Sequence, residues 1–111
     1  MDKELLKGSI DILILALSSA REVYGYEITK KIKDYTNSLY EMGEGTLYPA
    51  LKRLEDKKYL TSYWGEADKG GRRKYYSITL EGKNELKRKL DNWELINHAI
   101  KECLRPASKS Q

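Results

Sequence analysis

The chain is poor in the residues that reactive and covalently braced proteins depend on. Its 111 residues include one cysteine, Cys103, and one histidine, His98, and contain no CxxC motif. One thiol cannot close an internal disulfide. Two candidate ligands five residues apart supply neither a complete metal centre nor a nucleophile with its base and orienting partner. Acids near turns and helix starts, Glu41, Glu44, Glu81 and Glu85, are accounted for by favourable helix-dipole placement. No catalytic residue, metal ligand or cofactor site is therefore expected. The chain also lacks an uninterrupted apolar run long enough to span a bilayer, a signal peptide, an internal repeat and a low-complexity segment. Those absences favour a single cytoplasmic domain with no membrane partner. A net charge of +4 only leans toward acidic partners, so the distribution of charge has to decide.

What is present is periodic. Residues 3–19 form a helix candidate with two apolar stripes, Leu6, Ile10, Leu13 and Leu17 on one side and Leu5, Gly8, Ile12 and Leu15 on the other, the second also taking in Asp11. The surplus stripe suits a partner subunit; a helix buried all round within one domain is the alternative. Ile28, Ile32, Tyr35 and Leu39 give a second helix. After the turn-like "NSLYEMGEG", Leu47, Leu51 and Leu54 give a third. Pro49 lies about one turn in, which puts the start of that helix close to Gly45. "YLTSYW" and "RKYYSIT" flank a charged, glycine-containing loop and read as a two-stranded hairpin. Thr79 is a plausible N-cap for a last helix, along which Leu86, Leu90, Trp93, Asn97, Ile100 and Leu104 recur at 4-3-4-3-4 spacing.

The fold expected is mainly α with a small antiparallel β-ribbon. It is a winged helix-turn-helix at 1–79 that includes the N-terminal helix, a dimerisation helix at 80–105 and a flexible tail at 106–111. Leu5, Ile12, Leu86, Leu90, Trp93, Ile96, Ile100 and Leu104 are the candidate dimer contacts.

Two cationic surfaces stand out. With its leucines turned inward, the third helix presents Thr46, Tyr48, Lys52 and Arg53 around Pro49 on or beside its outer face. Cations and hydroxyls there suit phosphates and guanine edges, although a charged outer face is also common on surface helices. The hairpin loop adds Lys69, Gly70, Gly71, Arg72, Arg73 and Lys74. Its glycines let backbone approach a phosphate while the cations neutralise it, and a wing is expected after a recognition helix. The same loop lacks G-x-x-x-x-G-K-[ST] and joins strand to strand, while "GEGTLY" has Tyr48 where the third glycine of a dinucleotide fingerprint belongs. A nucleotide site is not expected.

Trp93 sits mid-seam, where a packing anchor is the plain role. A second role is open if paired helices enclose a cavity: Trp93, Asn97, Asp11, Gly8, Ile12 and Leu90 would then line a site for a planar aromatic ligand, whether neutral or cationic.

Three stretches, "YGYEI" at 24–28, "GEGTLYPALKRLE" at 43–55 and "GGRRKYYSITLEG" at 70–82, resemble the signature blocks of the PadR-like transcriptional regulators. The resemblance runs over nearly the whole chain. It implies a winged helix-turn-helix, a homodimer built by the first and last helices, and repression of a nearby promoter; the two-fold symmetry of such a dimer predicts a palindromic double-stranded operator. It places Thr46, Leu47, Tyr48 and Lys52 on the recognition helix and Gly70, Gly71, Arg72 and Arg73 in the wing. The chain is most similar to the small subfamily that includes the lactococcal multidrug-binding regulator. That likeness implies release by a planar aromatic effector held against Trp93, with Asn97 standing where that regulator has an acid. A module of the same fold that binds ligands or partners without useful DNA affinity is the alternative.

Overall fold

Leucines and isoleucines at helical spacing must bury one face of each helix, and in the computed structural model, which describes residues 3–107, they do so around one core. The order is α1 (Lys3–Gly8), α2 (Ile10–Ala20), β1 (Val23–Tyr24), α3 (Gly25–Tyr35), α4 (Glu44–Asp56), β2 (Leu60–Glu66), β3 (Arg72–Ile78) and α5 (Leu80–Leu104). Ile14 and Leu15 of α2, Ile28 and Ile32 of α3, and Leu47, Leu51 and Leu54 of α4 are fully shielded from solvent. Leu60 and Tyr76 close the core from the sheet side. Among the described residues no helix is long and apolar enough to cross a membrane.

The first helix departs from expectation. It breaks at Ser9, whose N–H donates to the Leu6 carbonyl (2.9 Å) and whose hydroxyl donates to the Leu5 carbonyl (2.9 Å). The inward row still runs from Leu6 to Ile10 across the break, but within α2 it continues through Ile14 and Ser18, and Leu15, expected on the outer stripe, is buried as well. Leu13 and Leu17 pack at its margin.

The expected hairpin is joined by a further strand, giving a three-stranded antiparallel sheet in the order β1-β3-β2. Val23 pairs with Tyr76 and Tyr24 with Tyr75; two residues are too few to show a period of two in sequence. The hairpin itself forms in register from Leu60–Ile78 to Glu66–Arg72. Its loop places Gly70 and Gly71 at φ +88° and +79°, a region that side chains with a Cβ avoid.

α3 stops at Tyr35 because Asn37 and Ser38 turn left-handed, which puts Leu39 outside the helix. α4 begins one residue before Gly45, with Gly43 accepting from the N–H groups of Thr46 (3.1 Å) and Leu47 (3.0 Å).

The cap on α5 is as expected. The Thr79 hydroxyl accepts from the Gly82 N–H (3.0 Å) and donates to the Lys58 carbonyl (2.5 Å), while the Thr79 N–H donates to the Tyr59 carbonyl (3.0 Å). This junction fixes where the last helix leaves the core. Beyond Leu86, which packs on the core, the helix carries Leu90, Trp93, Ile96, Ile100 and Leu104 exposed. The expected tail falls mostly outside the described residues.

The junction has no room for a side chain at residue 82, where a Cβ would lie 2.1 Å from the Tyr59 carbonyl oxygen. Gly82→Ala is therefore expected to lower unfolding free energy by about 1–3 kcal/mol in urea titration, the usual range for overpacking. An unchanged midpoint would show that the helix start is free to move.

Candidate nucleic-acid interface

The buried row on α4, Leu47, Ala50, Leu51 and Leu54, leaves Thr46, Tyr48, Pro49, Lys52 and Arg53 exposed. The N-terminal turns of α4 are thus displayed, the part of a recognition helix that meets base edges. Lys52 pairs with Asp56 at 3.4 Å, both side chains largely in water. Such a pair contributes little and leaves the ammonium free to exchange its partner for a phosphate. Arg53 is held differently, donating from Nη2 to Asp11 of α2 at 2.5 Å.

The start of α3 lies close against α4. A Cβ at Gly25 would meet the Tyr48 hydroxyl at 3.2 Å and Leu47 at 3.3 Å, so a glycine there permits the approach. Tyr24, Gly25 and Tyr26 on this side, Tyr48 on α4, and Trp64, Arg72, Arg73 and Lys74 on the sheet border one open cleft of about 490 Å³. Strand alternation puts Trp64, Arg72, Lys74 and Tyr76 on one face and Arg73 with Tyr75 on the other.

Each cation on β3 lies near an aromatic ring. The Arg73 guanidinium is 3.8 Å from the Tyr24 ring centre, Arg72 is 5.7 Å from Trp64, and the Lys74 ammonium is 5.6 Å from Tyr76. Lys74 also approaches Glu55 at 3.9 Å, and Glu55 accepts from the Ser62 hydroxyl (2.5 Å), which ties α4 to β2. Burial, ahead of the charge of Glu55, raises the Tyr76 phenol above the ordinary tyrosine range. Behind the sheet, Tyr75 stacks on Tyr63 with centroids 5.5 Å apart and donates to the Glu66 carbonyl (2.9 Å). Lys69, Gly70 and Gly71 form the exposed tip.

Of the nine residues expected to meet nucleic acid, the structure places Thr46, Tyr48 and Lys52 on the open side of α4. Arg72 and Arg73 stand at the cleft, and Lys69, Gly70 and Gly71 at the wing tip. Arg53 is engaged with α2. Tyr24, Tyr26 and Trp64 were not singled out from the sequence; the signal for the first two was "YGYEI", whose tyrosines flank the glycine against α4.

The expected ligand residues are only partly brought together. Gly8 and Ile12 meet Trp93 and Ile96 across an open cleft of about 300 Å³ between the N-terminal helices and α5, with Arg88, Lys89 and Asn92 among its lining. Leu90, Asn97 and Asp11 do not line it. Arg88 makes two hydrogen bonds to Glu85 (2.7 and 2.8 Å), and Lys89 approaches the same carboxylate at 3.6 Å. The Arg88 hydrogen bonds hold Glu85 below the usual carboxylate range. The charged side chains lining this cleft are therefore cations with a shared acid beside them.

The fold and these surfaces can be set beside known proteins. A transcriptional regulator from Clostridium thermocellum has the same fold over 95% of this chain and 99% of its own, at 40% identity and a TM-score of 0.83. Bacillus subtilis PadR in complex with operator DNA matches 73% of this chain at 30% identity and a TM-score of 0.66, covering 46% of that protein. The negative transcriptional regulator PadR of Bacillus subtilis is 29% identical over 92 residues, 83% of this chain and 48% of the relative. The chain thus spans about half of PadR's length. The sequence profile of the transcriptional regulator PadR-like family matches residues 14–88, from the core of α2 into α5, and the chain belongs to that family.

Proposed function

We propose that the chain is a DNA-binding transcriptional regulator acting in the cytoplasm as a homodimeric repressor of a nearby promoter. The observation that carries this reading is one cleft bordered by the displayed side of α4 and by the cationic strand of a glycine-turned wing. α4 enters the major groove with Thr46, Tyr48 and Lys52 toward base edges and phosphates. Lys69, Arg72 and Arg73, with the Gly70 and Gly71 backbone, meet phosphates or the minor groove. The operator complex of Bacillus subtilis PadR and that protein's negative regulation support the assignment by likeness.

Two copies associate through the apolar row of α5. Trp93, Ile96, Ile100 and Leu104 are 62%, 60%, 53% and 77% exposed in the single chain, and an apolar groove lined by Leu13, Leu17, Ile32 and Tyr35 offers a further surface to bury. A second copy supplies the matching helix, as in other seams of this spacing. The two-fold axis calls for a palindromic operator, with half-site centres about 10 or 20 base pairs apart. A planar aromatic effector lies against Trp93 between α5 and the N-terminal helices. Its charge is unspecified by the cleft, whose cations are already paired with Glu85. Release follows only if the effector has different affinities for two dimer shapes.

Footprinting on the protein's own promoter should reveal a two-fold symmetric protected site. Raising salt from about 50 to about 200 mM should weaken binding on the order of a thousandfold if about six phosphates are neutralised. Charge reversal at both Arg72 and Arg73 should abolish binding; a variant that still binds with wild-type affinity would leave a fold without this DNA function. In sedimentation equilibrium, Ile100→Lys should shift the protein from dimer to monomer, whereas an unchanged mass would remove α5 from the interface. Finally, planar tricyclic compounds titrated into Trp64→Phe protein should quench Trp93 fluorescence. No quenching across neutral and cationic compounds would leave Trp93 as packing alone.

A further inference from the structure

The apolar stripe of α4 holds it to the core, but leucine contacts are not directional and permit small rotations and slides. A charge-assisted hydrogen bond restrains direction as well as distance. Arg53, adjacent to Lys52 on α4, donates to Asp11 at 2.5 Å from 42 residues away in sequence. Asp11 is the more sheltered partner, its side chain 23% exposed against 47% for Arg53. It follows the buried Ile10 and precedes Ile12, which lines the cleft facing Trp93. One ion pair therefore links the helix that walls the cleft to the helix that displays Thr46, Tyr48 and Lys52.

We propose that Asp11 is a positioning residue for operator reading. Through Arg53 it sets the rotation and axial register of α4 on α2, and so the places where the α4 side chains meet base edges. The inference rests on the DNA-binding reading above and adds a regulatory consequence. Because α2 walls the cleft, a shift of α2 away from α5 is carried to α4 through this pair. Arg53 then serves operator discrimination without being a phosphate contact.

The test compares wild type with Asp11→Asn, Arg53→Gln and the double variant. Affinities are measured for the footprinted operator fragment and for a scrambled fragment of the same length and salt. Simple removal of an acid near DNA would tighten binding to both fragments alike. Positioning predicts that operator affinity falls about tenfold in Asp11→Asn, on the scale of one mispositioned base contact, while the scrambled fragment binds as well as before or better. The double variant should lose no more discrimination than either single one, because the two side chains act as a unit. Asp11→Glu, which keeps the charge on a longer arm, should recover part of the ratio. A partly exposed ion pair adds little to global stability, so circular dichroism and the thermal midpoint should stay close to wild type.

An Asp11→Asn protein that keeps the wild-type operator-to-scrambled ratio overturns the inference while leaving the DNA-binding reading intact. A wild-type protein that binds both fragments alike overturns that reading, and this inference with it.

Discussion

Burial of one face of α4 is the constraint on which the other features depend. Leu47, Ala50, Leu51 and Leu54 are held among Ile14, Leu15, Ile28 and Ile32, and truncating any one buried leucine would cost roughly 2–5 kcal/mol. With those side chains fixed, the helical period leaves Thr46, Tyr48, Pro49 and Lys52 facing water. Pro49 is compatible with that side. Its missing N–H leaves the Gly45 carbonyl without a helical donor, but Gly45 is exposed, where solvent supplies one. Core formation and display of the functional face thus follow from one spacing of leucines.

The rest of the chain separates two tasks. A compact domain of about 100 residues has a radius of gyration near 13 Å, whereas this chain has 17.4 Å and extends 68 × 31 × 21 Å. The excess comes from α5, which leaves the core at the Thr79–Gly82 junction and runs 25 residues. Its first turns belong to the core through Leu86, and its later turns carry apolar side chains that the single chain does not cover. Membership of the PadR-like family fits this division between a winged-helix body and a projecting helix.

Much of this was legible from residue spacing. A 4-3 spacing of leucines located α4 and a 4-3-4-3-4 row located α5, Thr79 announced its cap, and Gly70 and Gly71 marked the wing turn, whose φ angles side chains with a Cβ avoid. What escaped was short or tertiary. β1 has two residues, and it is held by pairing with Tyr75 and Tyr76 half a chain away and by burial of Val23 in the core. Ser9 breaks the first helix inside an apolar pattern that continues on both sides, and within α2 the buried band takes in both Ile14 and Leu15, so sorting apolar residues into two narrow rows placed Leu15 outside. Left-handed Asn37 and Ser38 cut α3 before Leu39 could continue its row. Asp11 looked like an acid on an apolar stripe, yet its partner lies 42 residues later, a distance over which periodicity carries no information.

The rings beneath the wing cations have a consequence beyond charge. Arginine and lysine are among the side chains with most rotamer freedom to lose on association, typically about 0.5–1.5 kcal/mol for each one immobilised. Here Arg73 already rests over Tyr24, Arg72 beside Trp64 and Lys74 beside Tyr76. Tyr24 is in turn fixed by its strand pairing and by its edge contact with Tyr75, centroids 5.9 Å apart. Part of the conformational order that a bound duplex would impose is therefore present in the free protein. The entropy lost on docking is correspondingly smaller, and the wing is closer to a rigid template than to a tether of mobile charges.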